Sequence, residues 1–443
     1  VSGLCGLGAY LSTRGTKTSV DNWPGVSGVY EFEAVYSEMR GVFTNTPPVS
    51  PYRGAGRPEA SYVIERLVDL AATKVQMSRV KIREKNFIKT QDMPFTNNLG
   101  FIYDSGDYKA SLSKAIELAD WDNFQIRKDK SFENGLLRGR GLACVVERSM
   151  SGQPEYASVI INKMGDVTLA CGAISFGQGP STIFPQIFRE VVDIDALKIN
   201  YVSGDTRKVP RGTGSFGSRS AGLAGAAVAL AAEKLIKEAR TRAAHLLQDK
   251  VENIKYKEGT FKGIQGGSVH LLDLAQQEEF FIEAKYETDS STFPSGTHIS
   301  EVEVDPETGK VSLVSYCAVE DTGTVVNPTR LDGQMHGGVA QGAGQTLMEI
   351  VRYDPESGQL MTGSFMDYAM PRAIDFPFFK VEHNPNPSPN NPLGIKGGGE
   401  GGTVGGLVCV ANAIADCLAC KTKQEVPIPA TPFAIWKLLN LSD

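Results

Sequence analysis

The sequence predicts an α+β fold. Strand-like runs separated by tight-turn signals are mixed with long small-residue helices, and few of these runs fall into strict βαβ order. With 443 residues, 41% hydrophobic and 22% charged, the chain is globular and large enough for more than one domain.

Taken in order, the chain opens at Val1 inside a helix-like segment, which suggests a piece of something longer or a split subunit. A loop over 44–59 feeds a helix over 60–73, where Val63, Leu67 and Leu70 follow the 3.6 period. Residues 83–88 close this first unit, 1–90, and the polar stretch 91–135 reads as a connector with a helical piece near 112–120. From Gly139 the texture turns to strands, so 136–443 reads as a second domain. Runs 156–162 and 167–173 flank the turn Lys163–Asp166, and runs 299–304 and 311–319 flank Asp305–Lys310, two hairpin signals. Asp354–Gly358 marks a further turn. Helices are expected over 221–247 and 404–418, with small residues that permit close packing.

Composition narrows the function. The formal net charge is −6, which gives no general attraction to nucleic acid or an anionic membrane. No apolar run is read as long enough to span a bilayer. Seven cysteines lie among apolar neighbours, the pattern of core thiols in a reducing, cytoplasmic setting. Cys417 and Cys420 form a C-x-x-C without a second pair, so metal binding is disfavoured there. The five histidines show no ligand spacing; His298 and His336, near glycine loops, are the two that stand out.

Five glycine-rich segments carry the chemistry. In Gly397–Thr403, Glu400 stands among five glycines directly before an apolar helix; backbone can approach a ligand closely there, and the carboxylate can exchange a proton. Arg53 and Arg57, framed by glycines, can offer guanidinium forks or simply pair with Glu59 and Glu65. Gln178 in Ser175–Gly179 can bond a ligand edge or satisfy its own loop. Arg211–Ser220 feeds a helix start that can cradle an anion with Ser218 and Ser220. Gln341 is the single polar reach of Gly337–Gly344, taken as a glycine-rich helix start. No Lys-Ser/Thr follows the glycines at 212–217, which tells against a Walker-type phosphate loop.

Together these segments resemble the molybdenum-bearing subunit of the xanthine dehydrogenase and aldehyde oxidase family, the molybdenum hydroxylases. The resemblance rests on Pro51–Ala60, Ser175–Gly179, Gly214–Ser220, Val339–Gly342, Met370–Arg372 and Asn391–Gly402 in that order, with Asp321–Pro328 and Ile428–Pro432 as weaker companions. It implies a two-domain molybdopterin-binding subunit in which 1–90 is the rear part of the first domain, its front part missing, so that another chain supplies it or this chain is a fragment. It also implies a molybdopterin cofactor with molybdenum, in bacteria often the cytosine dinucleotide form, the metal being held by the pterin dithiolene and not by protein. By similarity Arg53, Phe176, Gly177, Gln178, Gly179, Phe216, Gly217, Ser218, Ser220, Gln341 and Gly399 would line that cofactor, and Glu400 would be the general base.

The implied reaction is oxidation of an electron-poor carbon of an N-heteroaromatic compound or an aldehyde. Water is the oxygen source, and electrons leave through iron–sulfur clusters and FAD on partner subunits. Glu400 is then expected to be partly desolvated with a raised pKa. Where this chain has Gly54, the carbon monoxide dehydrogenases carry cysteine, and where it has Ala55 the purine oxidisers carry an aromatic; both substrates are disfavoured. Loops such as 148–154 are expected to select the substrate. The rival reading is a non-catalytic subunit that only binds the cofactor within such a complex.

Overall fold

A computed structural model describes residues 1–150, 152–194 and 197–441. Its opening residues are extended, not helical: β1 (Ser2–Gly6) runs parallel to β2 (Glu38–Val42). The helix expected over 60–73 is α1 (Arg57–Lys74), with Pro58 in its first turn, where a missing N–H costs nothing. Then follow α2 (Tyr108–Leu118), β3 (Leu137–Val146) and the hairpin β4 (Glu155–Ile161) and β5 (Val167–Cys171). Beyond it come α3 (Pro180–Val192), β6 (Ile199–Val202), α4 (Gly225–Leu246) and β7 (Phe280–Tyr286). The chain continues through the hairpin β8 (Ser295–Val304) and β9 (Val311–Asp321), α5 (Pro328–Leu347), β10 (Lys380–His383) and α6 (Gly401–Leu418).

Two four-stranded mixed sheets organise these elements. One has the order β7–β4–β5–β6, with β5 and β6 parallel and joined through α3. Its core sets Val159, Ile161 and Leu169 against Phe184 and Phe188 of α3 and the alanine face of α4. The short alanines let the α4 backbone lie close to the sheet, as the sequence suggests.

The other sheet has the order β10–β9–β8–β3. Helix α6 lies on it, and glycine in β3 makes this possible. A Cβ on Gly139 would sit 2.3 Å from the Ala413 carbonyl oxygen, and one on Gly141 1.9 Å from that of Cys409. Helix α5 crosses α6 equally tightly: a Cβ on Gly342 would be 2.6 Å from the Leu407 amide nitrogen. By length and composition α6 is long and apolar enough to cross a membrane, contrary to the sequence reading, yet it is almost wholly buried beneath β3, β8, α1 and α5. It is a core helix.

On the opposite face, Leu112 and Ala115 of α2 share a core with Leu142, Ile299 and Val319, so residues placed in the connector are packed onto the sheet. A buried ion pair pins α1 there. Glu65 binds Arg83 at 2.8 Å, accepts the Cys144 N–H at 3.0 Å and takes the Tyr30 hydroxyl. Asp69 also meets Arg83 at 2.8 Å. Glu65 therefore belongs to Arg83, not to Arg53 or Arg57.

Candidate active site

A cleft of about 1450 Å³ is lined by the loops that follow β3, β5 and β9, by the loop before α1 and by Glu400 at the N-terminus of α6. Glu400 is the N-cap residue of α6, so its charge lies at the positive end of a long buried helix. The glycines before it are there for contact. A Cβ on Gly397 would lie 2.0 Å from the Ser218 carbonyl oxygen, so side chains at this position would force the two loops apart.

Glu400 is only 9% exposed, yet it lines the cleft. Its Oε1 accepts the Gly54 N–H at 2.8 Å. Its Oε2 accepts from Arg57 Nη2 at 2.8 Å and lies 3.0 Å from the Ser218 hydroxyl. Gly54 has φ of +101°, a conformation that aims its N–H at the carboxylate and that favours glycine. Arg53 ties the same loop down, donating from Nε to the Gly399 carbonyl at 2.7 Å and from Nη2 to the Gln334 carbonyl at 3.1 Å.

The expected rise in the Glu400 pKa is not what the site produces. Burial pushes it up, but the Arg57 guanidinium, the Gly54 N–H and the Ser218 hydroxyl outweigh burial and hold the carboxyl below its ordinary value. The upward shift falls on Glu147, just past the end of β3. Burial and the neighbouring Glu400 charge push its carboxyl up to about 8, against the pull of Arg57 and Ser218. Glu147 Oε1 lies 2.8 Å from the Ser218 hydroxyl and 3.7 Å from Arg57 Nη1, and its Oε2 has no hydrogen-bond partner.

Most of the residues expected to line a cofactor do converge on the cleft: Arg53, Phe176, Gly177, Gln178, Phe216, Gly217, Ser218, Ser220 and Gly399. Gln178 spends its amide on its own loop, accepting from Phe176 N–H at 2.8 Å and donating to the Ile174 carbonyl at 2.7 Å. Gly179, at φ of +85°, is the N-cap of α3 and is not among the cleft-lining residues. Gln341 is not either: its side chain bonds the Tyr52 phenol. The segment around it is no helix start, since α5 begins at Pro328; Gly338 and Gly342 serve the crossing with α6. Ser220 opens one π-helical turn before α4.

Other expectations resolve simply. His298 is fully buried, 2.7 Å from the Tyr316 hydroxyl through Nδ1 and 2.8 Å from Glu320 through Nε2, the latter out of hydrogen-bond alignment. His336 packs edge-on against Phe378 and Phe379. Burial pushes the Cys417 thiol up to about 12. Of the loop 148–154, residue 151 lies outside the described residues, while Arg148, Gly152 and Gln153 line the cleft.

The residues left out of the expected site are Glu147 and the pairing of Arg57 with Glu400. The sequence signal for Glu147 was an acidic residue directly after the apolar run Leu142–Val146. That pattern is ordinary at strand ends, and only the fold turns this carboxyl toward Glu400.

The family comparison follows the geometry. Residues 114–377 match one molybdopterin cofactor-binding domain model, and residues 1–87 match a second. The chain belongs to the molybdopterin-binding family of the molybdenum hydroxylases. Among relatives, it is 32% identical over 442 residues to the carbon monoxide dehydrogenase large chain of Hydrogenophaga pseudoflava, covering 94% of this chain and 55% of that protein. It is 32% identical over 433 residues to the 6-hydroxypseudooxynicotine dehydrogenase complex subunit gamma of Paenarthrobacter nicotinovorans, covering 93% and 54%. Among solved structures, quinoline 2-oxidoreductase from Pseudomonas putida 86 superposes with a TM-score of 0.91 at 30% identity, covering 98% of this chain and 59% of that one. The chain thus spans a little over half the length of the relatives it matches.

The cleft suits a molybdopterin cofactor by its donor set. Arg14, Arg53 and Arg330 line it with cationic donors fit for phosphate, while Arg219 and Lys396 are buried in ion pairs with Glu155 and Asp321, and Gly177 and Gly217 present backbone with open space where a Cβ would be. The Thr322 hydroxyl, on the cleft wall, is a buried polar atom without a hydrogen-bond partner. Among the described residues no group of three His, Cys, Asp or Glu could hold a metal ion itself.

Proposed function

We propose that this chain forms the cofactor-binding and base-supplying half of a molybdenum-dependent hydroxylase acting on an N-heteroaromatic compound or an aldehyde. The observation that carries this reading is Glu400: an ionised carboxylate held at a helix N-terminus by three donors, at the base of a cation-lined cleft. When bound, the molybdenum cofactor supplies the two-electron oxidation and a Lewis-acid centre. The chain's own residues do the rest. Arg53 and the loops at 176–178 and 215–220 hold and orient the cofactor, and Gly398 and Gly399, which line the cleft beside Glu400, keep side chains away from the path to its carboxylate. Glu400 accepts the proton released as water-derived oxygen is delivered. The low pKa of Glu400 keeps it ionised, hence competent as a base, across the neutral range.

Two observations narrow the substrate. A Cβ on Gly54 would sit 2.4 Å from Pro58 Cγ, so a cysteine here does not fit the loop as it stands, which disfavours carbon monoxide. The relatives include a nicotine 6-hydroxylase large subunit, and the quinoline enzyme shares the fold, which favours N-heteroaromatic compounds. We assign the iron–sulfur and FAD centres to partner subunits; the relatives' names, large chain and subunit gamma, support a multi-subunit complex. The resemblance implies the cytosine dinucleotide form of the pterin, and a cleft of about 1450 Å³ supports a large cofactor.

The reading as a non-catalytic cofactor-binding subunit is weaker, because a scaffold has no use for a desolvated, ionised carboxylate aimed into the cleft. The test is direct. In the purified complex, molybdenum content is measured alongside dye reduction with nicotinate-like heterocycles and aldehydes. Glu400→Gln should keep the metal and lose nearly all turnover; full turnover with metal bound would refute the assignment.

A further inference from the structure

The Ser218 hydroxyl stands between two carboxylates, and it has one proton to give. Its oxygen lies 2.8 Å from Glu147 Oε1 and 3.0 Å from Glu400 Oε2. If both carboxylates were ionised, one of these contacts would set lone pair against lone pair. A second proton must therefore lie in the bridge. Its location follows from the donors on either side. Glu400 already takes the Gly54 N–H and the Arg57 guanidinium, both at 2.8 Å. Glu147 is fully enclosed, meets Arg57 only at 3.7 Å and leaves Oε2 without a partner. The less well-stabilised anion is the one that keeps its proton.

We infer that Glu147 and Glu400 form a one-proton pair bridged by Ser218, in which Glu147 holds the proton and Glu400 holds the charge. Glu147 donates to Ser218, and Ser218 donates to Glu400 Oε2. This chain of donors turns the serine hydroxyl toward the base and leaves the single negative charge at the cleft. The inference rests on Glu400 being the base, and it adds a positioning residue that acts through Ser218.

The charges facing Glu147 agree with this balance. From α1 comes Arg57, and from the loop before it Arg53; from the start of α6 comes Glu400. Across Gly401 stands Glu320 of β9, with His298 of β8 behind it: a Cβ on Gly401 would lie 3.3 Å from Glu320 Oε2 and 3.8 Å from Glu147 Oε2. Of these charges, that of Glu400 adds to the cost of ionising Glu147, beyond burial itself. The upward shift of Glu147 and the downward shift of Glu400 have the signs this arrangement demands.

The test is infrared difference spectroscopy of the complete complex, titrated across about pH 8, on the wild type and on Glu147→Gln and Glu400→Gln. A protonated carboxyl band should disappear in the wild type as pH rises through that point, and it should be missing from Glu147→Gln. In Glu400→Gln the same band should persist but titrate lower, by on the order of one unit, because the neighbouring negative charge is gone. Absence of such a band in the wild type, or a midpoint unmoved by Glu400→Gln, overturns the pair even if Glu147→Gln fails to assemble. Retained turnover in Glu400→Gln would instead count against the base assignment, so the two failures are separable.

Discussion

Arg53 Nε donates to the Gly399 carbonyl at 2.7 Å, joining two glycine loops that lie 346 residues apart in the chain. The loop carrying Gly54 and the loop carrying Glu400 thereby become one rigid floor. A charge-assisted bond of this kind contributes about 1.5–3 kcal/mol. Arg53→Ala should lower cofactor retention by roughly ten- to a hundredfold, read as molybdenum and pterin content after gel filtration. Arg53→Lys should recover little of it, since an ammonium cannot reach Gly399 and Gln334 in one fork.

Gly54 bears two loads: a positive φ and a close neighbour in Pro58. Gly54→Cys should lower the melting temperature by the equivalent of about 1–3 kcal/mol. It should also cut turnover, because displacing the loop draws the Gly54 N–H away from Glu400. Equal stability and turnover in this variant would show that the loop accepts a side chain.

The pair Glu65–Arg83 is fully buried. Arg83→Met strands Glu65 without its cation and leaves Asp69 only Arg79, at 3.4 Å, a loss of about 3–5 kcal/mol. Chemical denaturation of the assembled protein gives the number. Adding Glu65→Gln and Asp69→Asn to Arg83→Met should return part of that loss, because the uncompensated charges are then removed.

Stability should depend on pH through Glu147. Its folded pKa, about 8, lies above the ordinary 4.5, so its contribution is fully present below 4.5 and is lost as pH rises toward 8. Glu400 runs the other way: its lowered pKa contributes stability above its ordinary value that fades as pH falls below it. Thermal melts over this window should decline less steeply for Glu147→Gln than for the wild type. Parallel slopes would show that Glu147 titrates as an ordinary exposed acid.

Gly141 is where β3 admits α6. Gly141→Val should shift α6 along with the Glu400 at its tip, because the added Cβ would meet the Cys409 carbonyl oxygen at 1.9 Å. Lower stability with reduced turnover is expected, measured by melting and dye reduction, although the residue lies far along the helix from the cleft.

What was readable in one dimension was local. The hairpins at 163–166 and 305–310 follow from turn residues between apolar runs, and α4 and α6 from their long runs of small and apolar residues. Glu400 was readable because a carboxylate among five glycines has no local explanation. Gln341 and Gln178 were less readable: a polar residue among glycines looks like a reach toward a ligand, and the fold adds Tyr52 and the Ile174 carbonyl as partners.

The sequence by itself determined the elements, the glycine loops and the acid at the head of α6, since each depends on neighbours a few residues away. The tertiary structure alone decided which acid is charged. Glu147 and Glu400 are chemically identical side chains more than two hundred residues apart. Their different protonation arises from the donors that folding places around each: Gly54, Arg57 and Ser218 about one, and burial with little compensation about the other.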